Sequence, residues 1–264
     1  MNKHLAFFNL ELRQWLEFKV DFYLFWLESL FKAIVMGVFW WQIWETSGTR
    51  FSDIERDTFF CLLIFTQVMH LPFRGSETIA QMIEVPVVSG KMALVLCRPV
   101  NPLWMNLARV LCRQGRLMIC CLILLGIVQL WLLPEIGIDS TKSSLMSLKV
   151  VIALIQGLLI NYLLFSFLGI LSFWVGDIWS LIYAISIFAG FFSGQFFPLH
   201  LQGDLEWISR WLPFRYTAYS PACIAVGQES WGELLRQSVA LACLLWATSK
   251  AYKAGVKKFE ASGG

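Results

Sequence analysis

The side chains able to carry chemistry are sparse in this sequence, and poorly spaced for it. His4, His70 and His200 lie far apart. The seven cysteines, Cys61, Cys97, Cys112, Cys120, Cys121, Cys223 and Cys243, form no C-x-x-C and no Cys/His cluster with metal spacing. Most of them sit in apolar runs, where a thiol behaves as a small hydrophobe. No H-E-x-x-H, G-x-S-x-G or G-x-x-x-x-G-K-[ST] occurs, so metal hydrolysis, serine catalysis and nucleotide-phosphate binding each lack their residues. A process in which this chain uses ATP therefore needs its ATPase on another polypeptide. His70, just before Pro72, reads as a solvated boundary residue rather than a base.

The remaining candidates are polar groups set in apolar runs. Glu28 and Lys32 are spaced i,i+4 with the acid first, the better orientation for a helical pair. Two readings stand. In one, Lys32 snorkels and Glu28 lies at the headgroups; in the other, the two form a buried functional pair. Gln156 and Asn161 lie in mid-run, where an unpaired amide in hydrocarbon costs about 4–8 kcal/mol on a cyclohexane scale. They face either a polar path or neighbouring helices to which they hydrogen-bond. Arg109, Arg113 and Arg116 form a basic stripe suited to anionic headgroups or an acidic partner. Gly190 and Gly194 make a G-x-x-x-G, which packs helices within the subunit or at a dimer seam.

The elements that must hold these groups are helices in lipid. Of 264 residues, 58% are hydrophobic and 15% charged, against about 45–50% and about 25% in soluble domains. The 13 Trp and 22 Phe suit two water–lipid interfaces better than one compact core. Disorder, a secreted disulfide scaffold and most soluble enzymes are excluded, and a net charge of +3 gives no reason to expect nucleic acid. The charges in residues 1–20 break any signal-peptide core. Leu5, Phe8, Leu12 and Trp15 give that segment an interfacial helical stripe instead.

The expected fold is an all-α membrane protein, a single domain over residues 1–264 with six transmembrane helices. The spans fall near Phe22–Trp44, Ile54–Pro72, Leu103–Leu133, Lys149–Phe173, Ile178–Phe197 and Leu234–Ala251. Ser52 and Asp53 are possible caps for the second. Residues 74–102 are too polar and broken for lipid and read as a long loop with one short helix at Ser76–Val85. Residues 198–227 mix Pro, Gly, aromatic and charged residues and read as short helices that dip into the interface and return. Lys and Arg concentrate at the N-terminus, in residues 74–102 and at the C-terminus; the other side has Arg50, Lys142, Arg210 and Arg215. This bias puts both termini and the 74–102 loop in the cytoplasm.

At this point the chain resembles a known family, the ABC-2-type transporter permeases. In one branch of that family the inner loop reads hydrophobic–Gly–hydrophobic–Leu–x–Arg–Pro, and here Val87–Leu103 carries Gly90, Leu96, Arg98, Pro99 and Pro102 in that order. Later matches are Phe197-Pro198-Leu199, Trp211 with Pro213-Phe214, Tyr219 with Pro221, and the terminal Gly263-Gly264. The resemblance runs in order along nearly the whole chain. It implies a plasma (inner) membrane export permease paired with a second permease, identical or homologous, and with two copies of a cytosolic ATPase. ATP and Mg would bind in those partners, and this chain would hold no cofactor. It also implies a coupling helix within Ser76–Pro99, with Glu77, Glu84, Gly90, Arg98 and Pro99 as candidate contacts; for Arg98-Pro99 a helix stop at the headgroups is the alternative. Spans four and five are apolar and aromatic, which points to an amphipathic or lipid-like solute. A secondary transporter or channel is the competing class, but it calls for inverted repeats and mid-depth charges, and only Glu28–Lys32 qualifies. A membrane-embedded enzyme lacks its catalytic groups.

Overall fold

A computed structural model describes residues 19–47, 56–132, 140–196, 199, 206–227 and 231–261. The expected interfacial helix before Lys19, the caps at Ser52 and Asp53, Pro198, residues 200–205 and the terminal glycines lie outside these. Among the described residues the secondary structure is helical: α1 Lys19–Ser47, α2 Arg56–Met69, a 3-10 turn Leu71–Phe73, α3 Glu77–Val88, α4 Met92–Leu96, α5 Pro102–Leu132, α6 Ser140–Val175, α7 Trp179–Phe192, α8 Glu206–Trp211, a second 3-10 turn Pro213–Tyr216, α9 Tyr219–Ala225 and α10 Trp231–Ala261. Pro102–Ile127 and Leu148–Val175 are long and apolar enough to cross a bilayer.

Helix α6 is the axis around which the others pack, above all α10 and α3. Side-chain contacts give the directions. Gln237 Nε2 donates to Ala153 O (2.7 Å), Gln156 Nε2 to Ser238 Oγ (2.9 Å) and Thr248 Oγ1 to Leu163 O (3.3 Å), while Gly255 lies against the Phe173 ring. Residue numbers rise together along both helices, so α6 and α10 run parallel. That is the relation the fourth and sixth of six alternating spans must have. Helix α5 runs the other way: Leu103 O accepts from Tyr162 Oη (2.6 Å), and Leu125 shares a core cluster with Val150 and Leu154.

The path from α2 through α3 also runs parallel to α6. Cys61, Phe65 and Phe73 pack with Val150–Leu158; Ile79 and Ala80 with Tyr162–Leu168; Ile83 and Met92 with Ile170 and Phe173. Helix α3, the short helix expected at Ser76–Val85, is therefore the continuation of α2 down the bundle, and what needs correcting in the expected loop over residues 74–102 is its place outside the bundle. Its first half is packed helix, and only the stretch from Val88 to Pro102 projects. The break between the two helices has local causes. Pro72 cannot donate to a helical ladder, and Gly75 takes φ +66°, a left-handed conformation that favours glycine. Gly169 then lets α3 in: a Cβ there would meet Ala80 O at 2.5 Å.

The fifth expected span, Ile178–Phe197, is also not continuous. Helix α7 covers about 21 Å at ~1.5 Å per residue, then the chain turns at Gly194 with φ +78°. Its end meets the end of α2: His70 Nε2 lies 3.2 Å from Ser193 O, and Gln67 Nε2 donates to Gln195 O (2.8 Å). Beyond it, α8, the second 3-10 turn and α9 fold back into the bundle. Helix α9 is buried along its whole length, and Tyr216 O and Thr217 O approach the bare Cα face of Gly157.

Candidate functional site

Three groups of polar residues emerge, at the tip beyond α3, at the break between α2 and α3, and at the start of α10.

At the tip, the sequence-derived contacts divide. Glu84 is 4% exposed and turns inward, where its Oε1 accepts the Ile178 N–H (3.0 Å) at the N-terminus of α7. A carboxylate there satisfies one of the N–H groups a helix start leaves unpaired and complements the helix dipole. Glu84 therefore ties α3 to α7 and presents no carboxylate to an outside partner, contrary to its expected contact role. Glu77 is half-buried at the start of α3, well away from the tip. Gly90, Arg98 and Pro99 are exposed. Gly90 turns the chain from α3 into α4 at φ +69°, and the space where its Cβ would sit is open. Asn101 Oδ1 accepts from Leu103 N (2.9 Å), and Pro102 opens α5; together they cap that helix start. Arg98 and Pro99 share a cleft of about 540 Å³ with Tyr252, Lys253 and Lys257 of α10. Burial pushes the Tyr252 hydroxyl up to about 12.

The tip is anchored as well as exposed. Met92 of α4 is 2% exposed and packs with Ile83, Ile170 and Phe173, while Val88 and Leu94 are 54% and 69% exposed. Met92 fixes the tip to α6, and Glu84, one turn before the tip, fixes α3 to α7.

The break forms a second polar group, halfway along Leu148–Val175. Asn161 is 5% exposed and donates through Nδ2 to Ser76 Oγ (2.9 Å), and Ser76 Oγ in turn donates to Phe73 O. A cavity of about 100 Å³ opens here between Asn161, Glu77, His70, Ser186, Gly190 and Thr217. Three residues read separately from the sequence, Glu77, Asn161 and Gly190, thus line one cavity. His70 joins them from a position read as a boundary. Gln156 lies apart and bonds to Ser238, between helices. Gly190 makes room for the Phe196 ring and Gly194 for Tyr219, so both glycines pack inside their own subunit.

Two arginines take part that sequence reasoning had placed elsewhere. Arg113, from the basic stripe, donates through Nη1 to Thr78 Oγ1 (2.5 Å) and fills the space beside Gly75. Arg74 pairs with Glu28, which also pairs with Lys32 (3.0 Å), so the expected Glu28–Lys32 pair is part of a triad. The cluster of Pro72 and Gly75 just after His70 was the available signal for a break inside the bundle.

The third group locks the returning segment. Arg215 and Glu233, each 2% exposed, pair at 3.2 Å; Ser220 Oγ donates to the same carboxylate oxygen (2.7 Å) and Arg236 pairs with the other (2.7 Å). Gln237 Nε2 then bridges Tyr216 O (3.0 Å) and Ala153 O. Among the described residues no three His, Cys, Asp or Glu side chains come together as metal ligands would.

This arrangement binds helices to one another and, among the described residues, leaves an anchored tip exposed. The family model described as ABC-2 family transporter protein matches residues 31–263. No curated protein matches the chain.

Proposed function

Because the chain belongs to the ABC-2 family of transporter proteins, as the match over residues 31–263 shows, we propose that it is the permease subunit of an exporter whose ATP is hydrolysed on a separate cytosolic subunit. The family match carries this reading. It spans α2 to α10, including the break and the tip. The chain is a multi-pass membrane component, non-catalytic as its family generally is.

The finer reading is mechanical. The Val88–Pro99 tip is the docking edge for the cytosolic ATPase, with Gly90 shaping the turn and the exposed Val88, Leu94 and Arg98 available for contact. What supports this is the anchoring: Met92 and Glu84 pass any displacement of the tip to α6 and α7. Rigid-body motion of this kind is a common way to transmit closure of a distant site. The break at His70–Ser76 lets the inner body of α3, α7 and the Val175 end of α6 move against the outer one. Both termini and the tip face the cytoplasm of the inner membrane, which accords with Lys91, Arg98, Lys253 and Lys257 lying near the same end. A second permease, identical or homologous, completes the path. ATP and Mg bind in the ATPase partner.

Co-purification from the native membrane tests this. The permease is expected to bring with it an ATPase carrying a phosphate-binding loop, and to hydrolyse no ATP when stripped of it. Recovery of a transport-active assembly free of any ATPase would remove the proposal.

A further inference from the structure

A further cavity runs along the seam between α1 and α2, and one end of it reaches the level of the break. It measures about 620 Å³ and is lined from Ser29 through Gly37 to Trp41 and Gln42 on α1, and by Ile64 and Leu71 on the facing side. Its length from Ser29 to Gln42 is about 20 Å at ~1.5 Å per residue, more than the ~15 Å depth of one leaflet's hydrocarbon. Gly37 contributes no side chain, and the space where its Cβ would sit is open.

At the Ser29 end the groove meets charge. Glu28 and Lys32 on α1 flank its lining residues, and Arg74, three residues after Leu71, pairs with Glu28. The triad holds two cations against one carboxylate. Glu28 and Lys32 remain 47% and 41% exposed, Arg74 12%. Their level is that of the break: Arg74 lies next to Ser76 and Asn161, midway along the apolar stretch of α6. An exposed excess positive charge at hydrocarbon depth is costly and calls for an anion or water beside it. An apolar channel leading away from that charge supplies the second half of the requirement.

We propose that the α1–α2 groove with its Glu28–Lys32–Arg74 end is a binding site for an amphipathic anion drawn from the bilayer. The headgroup pairs with Lys32 and Arg74, and the alkyl chain lies along Gly37 toward Trp41. The site rests on the permease reading only in setting the groove within the membrane, and it names the solute class that reading leaves open.

The test needs no ATP and no partner, so its failure leaves the transporter reading intact, and failure to recover an ATPase leaves the binding result intact. The full chain is reconstituted in phosphatidylcholine vesicles and titrated with a spin-labelled hexadecyl phosphate, read by the motionally restricted component of its spectrum. The same labelled chain with a trimethylammonium headgroup is the control. The phosphate is expected to be restricted in preference to the cation, and Lys32→Gln to lower that preference about tenfold. Gly37→Leu, which fills the groove and improves helix propensity, is expected to abolish the excess restriction of the phosphate over the cation without loss of folded protein. Equal restriction of both headgroups, or an undiminished preference for the phosphate in the Gly37→Leu variant, overturns the site. A disulfide between two chains bearing Gly37→Cys would assign the groove to a second copy and overturn it as well.

Discussion

Glu84 and Glu233 are nearly inaccessible acids in a protein with few charges, and each fastens one end of the bundle. Glu84 accepts the first N–H of the α7 start; Glu233 takes Arg215, Ser220 and Arg236 at the α10 start. Neither acid stands alone in apolar surroundings, which is the condition under which a buried carboxylate is tolerated. For Glu84 the consequence can be measured. Glu84→Ala leaves the Ile178 N–H buried without its acceptor, at a cost of about 1–3 kcal/mol. Glu84→Gln keeps an oxygen in place and loses less. Thermal unfolding of the purified permease should therefore rank wild type first, then Glu84→Gln, then Glu84→Ala. An Ala variant as stable as wild type would mean that α7 does not depend on this bond. The partner of Glu84 lies 94 residues away along the chain, so a sequence that shows an acid on a short helix has no local sign of which way it turns.

Helix by helix, hydropathy located α1 and α5 to within a few residues and the apolar middles of α6 and α10, because a long apolar run needs no partner to identify it; α6 starts earlier, at Ser140, and α10 runs on to Ala261, through polar turns that such a run leaves out. It missed the two interruptions for a common reason. Residues 76–88 look too polar for a bundle interior, yet Ser76 bonds to Asn161 and Glu84 bonds through one of its oxygens to Ile178, from helices that a hydropathy window cannot pair with them. Helix α7 looks long enough to cross when its run is counted to Phe197, but Gly194 ends it at the level where α2 ends. The α3–α6 contact behind this arrangement rests on one glycine. A methyl at Gly169 would lie 2.5 Å from Ala80 O and 3.0 Å from its Cα, both backbone atoms that cannot rotate away. Gly169→Ala should therefore lower stability by about 1–3 kcal/mol through overpacking. Gly126→Ala on α5, where a Cβ meets nothing, should be neutral or stabilising by up to ~1 kcal/mol. Denaturant or thermal melts of the two variants side by side decide it, and equal effects would show that α3 is not held this closely.

For the molecule as a whole, the orientation of the tip decides whether a cytosolic motor can reach it, and the chain carries its own reporter. All seven cysteines are free; Cys97 and Cys243 are exposed, while Cys61, Cys112, Cys121 and Cys223 are buried. The two exposed thiols differ in surroundings. Cys97 follows α4 beside Arg98 and Pro99, among groups that belong in water. Cys243 lies midway along α10 between the exposed Val239 and Trp246, on an apolar face that a charged reagent should not reach from water. A membrane-impermeant maleimide should label one thiol, Cys97, in inside-out vesicles and none in intact cells. Cys97→Ser should abolish that signal, and Cys243→Ser should leave it unchanged. Labelling of Cys97 from outside intact cells would reverse the bundle. The anchored tip would then face away from every cytosolic ATPase, and the link from Met92 and Glu84 to α6 and α7 would have nothing to transmit.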